Sequence, residues 1–266
     1  MCGDDLIEAP VGYQCVDCAR EAPPVRRLAE RAPTPSATRV LVATIVAVAV
    51  VGATGAVDAR TFGLVPALVG DGEWWRLVTS AALHGGFLHL AFNALLLWQL
   101  GQMLEPRLGA GPFLGVTASG LAGGSLGVVA LSWVVVATPL GALPLAARFL
   151  GAGPLTITVG ASGAVFGLMG AVLVGHRRRG LDPWATSEGS FVGGLVVINL
   201  VLTFVVPSIS VGGHVGGLLG GAAAALLVGP DRSHRPRDTA RTLAVATVLL
   251  VLAVVVARSV VRTLLG

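Results

Sequence analysis

Residues 212–221 read GGHVGGLLGG, and the apolar run they open continues to residue 229 without an acidic side chain or an arginine. A stretch of this length with no polar alternation approaches what a helix needs to cross a bilayer. In hydrocarbon each backbone N–H and C=O must be satisfied inside the chain, which leaves helices or a closed barrel. Continuous apolarity selects the helix. Gly213, Gly217 and Gly221 then fall at i, i+4 and i+8 on one small face, with His214 beside it. Such faces let helix backbones approach closely in lipid.

Working outward, similar runs occur at 40–57, 86–104, 112–136, 160–176, 190–206 and 241–258. The sequence therefore predicts seven transmembrane helices and an all-α polytopic membrane protein. Composition agrees: of 266 residues, 54% are hydrophobic and only 12% charged, where soluble domains carry about 25% charged residues. Mean hydropathy is +0.82. All 18 basic residues are arginine. No basic stripe with interleaved aromatics is present, so nucleic-acid binding is not expected. The N-terminus lacks the basic-then-apolar order of a cleavable signal. Counting arginines in the connections places 13 of 18 on one side. By the positive-inside rule that side is cytoplasmic, with the N-terminus in and the C-terminus out. Ser162 and His214 then begin helices that run inward from the outer face, at a similar depth.

Two connections are long. Residues 58–85 contain GDGEWWRLVTSAALHGG, in which Trp74 and Trp75 suit a membrane interface and Arg76 can reach headgroups or cap loop carbonyls. Residues 137–159 are rich in Pro and Gly and lead directly to Ser162. Each reads either as a surface loop or as a structure covering a site.

Ionisable groups within membrane spans are costly and tend to be functional. Here the spans hold His89 and His214, with His84 and His176 at span edges, and every acidic residue lies outside the spans or at their ends. This removes a zinc protease of the HExxH type, a paired-aspartate protease and a buried Ser-His-Asp triad. It also weakens a proton-coupled transporter. A serine and a histidine are left. Serine needs a base to take its proton, and a buried imidazole is disposed to be neutral and able to accept one. His89 and Asn93, four apart on one helix face, can donate to a developing oxyanion, as can the backbone N–H of Ser162 at a helix start. Gly163, Gly167 and Ala171 give the fourth span a small face of its own, and Phe166, one turn below Ser162, can pack on the imidazole. The plainer alternatives are a serine bonded to its own i−4 carbonyl, glycine stripes that only pack, and an asparagine that joins helices.

Taken together, EWWRLVTSAALH (73–84), HGGFLHLAFN (84–93), GASG (160–163) and GGHVGGLLGG (212–221) resemble the rhomboid intramembrane serine proteases over roughly residues 40–230. The resemblance implies a six-helix rhomboid core at 39–230, followed by a linker and one C-terminal transmembrane helix at 231–266. It implies Ser162 as nucleophile and His214 as base, His89 and Asn93 at the oxyanion with His84 and Gly160 beside them, and no cofactor for catalysis. Trp75, Arg76, Glu105, Gly163, Phe166, Gly217 and Gly221 take supporting positions. Phe166 stands where the family often has Tyr. The implied substrates are transmembrane segments of other membrane proteins, cut near the outer face of what would be a bacterial inner membrane. Their lateral route would pass the fifth span, where Phe191, Gly193 and Gly194 make a loose wall. The rival reading within the same resemblance is a non-catalytic scaffold that binds transmembrane helices.

Residues 1–38 form a polar segment expected to be cytoplasmic, carrying Cys2, Cys15 and Cys18. C-x₂-C at 15–18 is half a zinc site, and the segment resembles the end of a small zinc-binding module. Three reduced thiols in an unligated cytoplasmic tail are the alternative.

Overall fold

The computed structural model describes residues 6–9 and 12–15 as backbone, and residues 35–139, 151–207, 209–229 and 236–265. The chain divides into two compact units, Met1–Thr34 and Pro35–Gly266. In the first, β1 (Leu6–Ala9) pairs antiparallel with β2 (Gly12–Cys15), Leu6 opposite Cys15 and Ala9 opposite Gly12. The sequence reading did not anticipate this hairpin. Cys2 and Cys18 lie outside the described residues.

The second unit is helical. Its long elements are α1 (Ser36–Ala53), α5 (Phe87–Leu108), α6 (Ala110–Ala137), α7 (Ser162–Arg178), α8 (Ser187–Val205), α9 (Val211–Leu226) and α10 (Pro236–Leu265); the short α2 (Ala59–Phe62), α3 (Pro66–Gly70) and α4 (Arg76–Thr79) lie in the 58–85 connection. Each of the seven expected spans is a helix. Five are long and apolar enough to cross a membrane: α1, α5, α6, α8 and α10. The two shortest, α7 and α9, carry Ser162 and His214.

Glycine decides how these helices meet. α6 carries Gly120, Gly123, Gly124 and Gly127, and it lies against both α7 and α9. A Cβ on Gly120 would sit 2.8 Å from Gly167 Cα, one on Gly123 2.4 Å from Gly216 O, and one on Gly127 2.1 Å from Gly212 O. α7 and α9 touch each other in the same way. A Cβ on Gly217 would lie 2.4 Å from Gly163 O, and one on Gly221 2.2 Å from Gly167 O. Three backbones thus approach until no side chain fits between them, and dispersion between main chains takes the place of side-chain interdigitation. α10 packs along α6 on its other side, where Ser119 Oγ lies 2.9 Å from Thr242 O.

Polar side chains fix the remaining joints. Glu105, buried in the last turn of α5, accepts from the N–H groups of Ala37 and Thr38 at 2.9 and 2.8 Å and from Thr38 Oγ1 at 2.7 Å. It thereby satisfies the otherwise open first turn of α1. Glu105 thus lies inside α5, in its last turn, where the expected span 86–104 left it just outside. Arg107 forms a two-pronged ion pair with Glu188, 2.7 Å on its longer arm.

Candidate active site

The connection at 58–85 is built onto the bundle before the site is reached. Asp58 caps α2 through the N–H groups of Arg60 and Thr61 at 2.6 and 2.9 Å, bonds that hold its carboxyl below the usual range. Arg76 is 5% exposed. Its guanidinium donates to Glu73 at 2.5 Å and to the carbonyls of Arg60 and Gly63 at 2.7 and 2.8 Å. Of the two uses open to Arg76, capping loop carbonyls is the one found. Trp75 meets Trp74 edge-on and stays half-exposed. The connection then pairs with the segment before α7: Leu64 and Thr158 exchange both backbone bonds, at 3.0 and 2.9 Å, and Ala67 N donates to Pro154 O at 2.9 Å. The 58–85 segment is therefore a docked structure rather than a free loop. Of the long connection at 137–159, residues 140–150 lie outside the described residues.

That docking sets the turn into α7. Gly160 N donates to Ser80 O at 3.0 Å, and Gly160 adopts φ +125°, in the left-handed region. The His89 ring lies directly over it: a Cβ on Gly160 would meet His89 Nε2 and Cε1 at 2.7 Å. Gly85 N–H donates to His89 Nδ1 across a long 3.4 Å. An Nδ1 that accepts leaves the ring proton on Nε2, the atom turned toward Gly160. His84 meets His89 edge-on at 5.1 Å. Both ring nitrogens of His84 are buried without a partner among the described residues. Burial, and then the neighbouring His89, lower the pKa of His84 to about 4, so near neutral pH the ring is uncharged. Asn93, one turn below His89 and buried, donates to His89 O at 2.8 Å, which leaves its second N–H and its carbonyl oxygen.

Ser162 follows two residues after Gly160 as the first residue of α7. No side chain caps this helix, in contrast to α9, where Ser210 Oγ accepts from Gly213 N at 3.1 Å. The first-turn N–H groups of α7 therefore have no partner on their own helix. Ser162 Oγ makes no hydrogen bond to a described residue. Thr117, Ser119 and Thr203 in other helices do bond back to their i−4 carbonyls, so the plainer reading of Ser162 does not apply.

His214 lies one turn into α9, buried. Phe166, one turn along α7 from Ser162, stacks on its ring with centroids 4.2 Å apart and planes 22° apart. Gly213 O lies 3.5 Å from the point a Cβ on Gly163 would occupy. The small faces therefore bring the Ser162 and His214 turns to one helix crossing, without a hydrogen bond between the two side chains. Catalytic hydrogen bonds often form only once substrate is bound. His214 Nδ1 meets Thr203 Oγ1 of α8 at 2.6 Å.

Sequence reasoning missed three contributors. Ser80 acts through a carbonyl, which any residue has. The glycines of α6 were visible in GLAGGSLG (120–127) as a third small face. Thr203 left no signal. The wall expected at Phe191, Gly193 and Gly194 is placed differently. Gly193 is covered by the Trp184 ring, 2.7 Å from where a Cβ would lie, and it stands ten residues, about 15 Å of helix, from the Thr203 level. At that level α8 presents Val201, Leu202 and Val205 outward. Among the described residues no group of three metal-ligating side chains comes together.

The family model described as "Rhomboid domain" matches residues 71–231. The chain is 38% identical over 165 residues to "Rhomboid protease GluP" of Bacillus subtilis strain 168, covering 61% of this chain and 27% of that protein. It is 31% identical over 176 residues to "Rhomboid-like protease 1" of Toxoplasma gondii, covering 64% of this chain and 53% of that protein. It is 32% identical over 159 residues to "RHOMBOID-like protein 5" of Arabidopsis thaliana, covering 58% and 44%. The chain thus spans about a quarter to a half of the length of these relatives.

Proposed function

The chain belongs to the rhomboid family, and from that premise we propose that it is an intramembrane serine protease acting on transmembrane segments of other membrane proteins. Ser162 is the nucleophile and His214 the general base. His214 takes the Ser162 proton as Oγ attacks the scissile carbonyl, and returns it to the leaving amine; water then resolves the acyl-enzyme by the same base. The negative oxygen is received by the Ser162 N–H, His89 Nε2–H and the free Asn93 N–H. Water reaches the site past His84, whose buried nitrogens suit a bound water better than hydrocarbon. The site faces the outer side of the membrane, with the N-terminus inside and the C-terminus outside.

The observation that carries this reading is the stack of Phe166 on His214 at the α7–α9 glycine crossing. It packs His214 on an α7 side chain one turn from Ser162, which opens that helix and has no hydrogen bond to a described residue. The test is cleavage of a single-span reporter in proteoliposomes. Ser162→Ala is expected to abolish turnover, and His214→Ala to lower it by about 10²–10⁴-fold. Unchanged turnover in both variants would overturn the assignment. The scaffold reading predicts helix binding with no cleavage by the wild-type protein in the same vesicles.

A further inference from the structure

Among the described residues His214 makes one side-chain hydrogen bond, and it lies outside the reaction just described. Its Nδ1 lies 2.6 Å from Thr203 Oγ1. Thr203 is 0% exposed, so no solvent competes for its hydroxyl. The same oxygen lies 2.6 Å from Asn199 O, the i−4 carbonyl of α8. A carbonyl can only accept, and a hydroxyl has one proton. That proton is therefore committed to Asn199 O. The Thr203–His214 contact then has a single consistent polarity: Nδ1–H donates and Oγ1 accepts. An imidazole that is neutral and protonated at Nδ1 carries its lone pair on Nε2, the form a base for Ser162 needs.

We propose that Thr203 is a positioning residue that fixes the tautomer and ring direction of His214, through a relay Asn199 C=O, Thr203 O–H, His214 Nδ1–H. The inference rests on the Ser162–His214 reading for its catalytic meaning, but its geometry stands apart from it. A carboxylate in this place would also hold Nδ1–H, at the cost of a buried charge in an apolar bundle. A threonine whose own proton is anchored to the helix gives the same polarity without that charge. Phe166 fixes the plane of the ring, and Thr203 fixes its rotation within the plane. The third member comes from α8, an element separate from the two that carry serine and histidine.

The experiment uses full-length protein, ¹⁵N-labelled on histidine, in bicelles, with the His214 signals assigned by their loss in His214→Gln. Wild type is expected to show Nδ1 protonated and Nε2 bare near neutral pH. Thr203→Val removes the acceptor at nearly constant volume. It is expected to move His214 toward the Nε2–H form and to lower kcat by roughly 10–100-fold with KM little changed, the unmet Nδ1–H being the cause. Thr203→Ser restores the acceptor and should return both spectrum and kcat to within about threefold of wild type. A wild-type spectrum with Nε2 protonated overturns the proposal by itself, even if the valine variant does not fold. So does a folded Thr203→Val protein with wild-type spectrum and kcat. If Ser162→Ala leaves turnover intact while the wild-type tautomer is Nδ1–H, the protease reading fails and the Thr203 relay survives.

Discussion

In the proposed mechanism Gly160 is the residue on which the oxyanion side of the candidate site turns. Its φ of +125° and the His89 ring 2.7 Å from any Cβ leave no room for a side chain. Gly160→Ala is expected to displace His89, strain the turn into α7 and lower kcat about 10²-fold, the usual cost of a lost oxyanion donor, with a smaller change in KM. Steady-state cleavage of the single-span reporter checks this. At this scale much of the candidate site was legible as a set of residues. Ser162 and His214 stood out because an apolar chain offers few groups able to do proton chemistry, and both opened short spans. His89 and Asn93 were readable from their spacing of four. Thr203 was not, because a threonine in an apolar helix normally satisfies itself on the i−4 carbonyl. It does so here as well, and only the fold places His214 on its free lone pairs.

Among elements, the crossing of α7 and α9 is a joint that admits little change. Gly221→Ala would place a Cβ 2.2 to 2.4 Å from the O, Cα and C of Gly167. Backbone has to move to make room, so a loss of about 1–3 kcal/mol is expected. Denaturant titration in detergent, compared with Gly194→Ala on an open helix face, measures it. Arg76→Ala removes donors from two loop carbonyls and from Glu73. A cost of about 1.5–3 kcal/mol is expected, together with earlier proteolytic nicking between 58 and 85. Span positions were legible from hydropathy alone, whereas their ends were less so. α1 starts at Ser36 rather than 40 because Glu105 caps its first turn. α10 runs from Pro236 to Leu265 rather than 241 to 258. Proline suits a helix start, and Arg258 and Arg262 can extend along the helix to the interface while their stems stay apolar. Hydropathy registers such residues as breaks.

For the molecule as a whole, the composition settled the class. A chain with 12% charged residues cannot cover a soluble surface, and its polar groups gather where helices end or meet. Acid should find the weak point. The His84 pKa of about 4 lies below its ordinary 6.5 because burial, and then the neighbouring His89, disfavour the charged ring. Unfolding frees that ring to bind a proton. Stability linked to His84 is therefore fully present above about pH 6.5 and lost as pH falls toward 4. Thermal unfolding of the wild type is expected to shift downward over that window, and His84→Gln should flatten the slope. An equal slope in both proteins would place the acid sensitivity elsewhere.

The central claim is that the hydroxyl of Ser162 is activated by the imidazole of His214 at the glycine crossing. Labelling of the membrane-embedded protein with a fluorophosphonate probe, read by mass spectrometry of the adduct, tests it most directly. The account predicts modification at Ser162 in the wild type, none in Ser162→Ala, and labelling slowed by at least about 10²-fold in His214→Ala. Labelling of Ser162 at the same rate with and without His214 would contradict it.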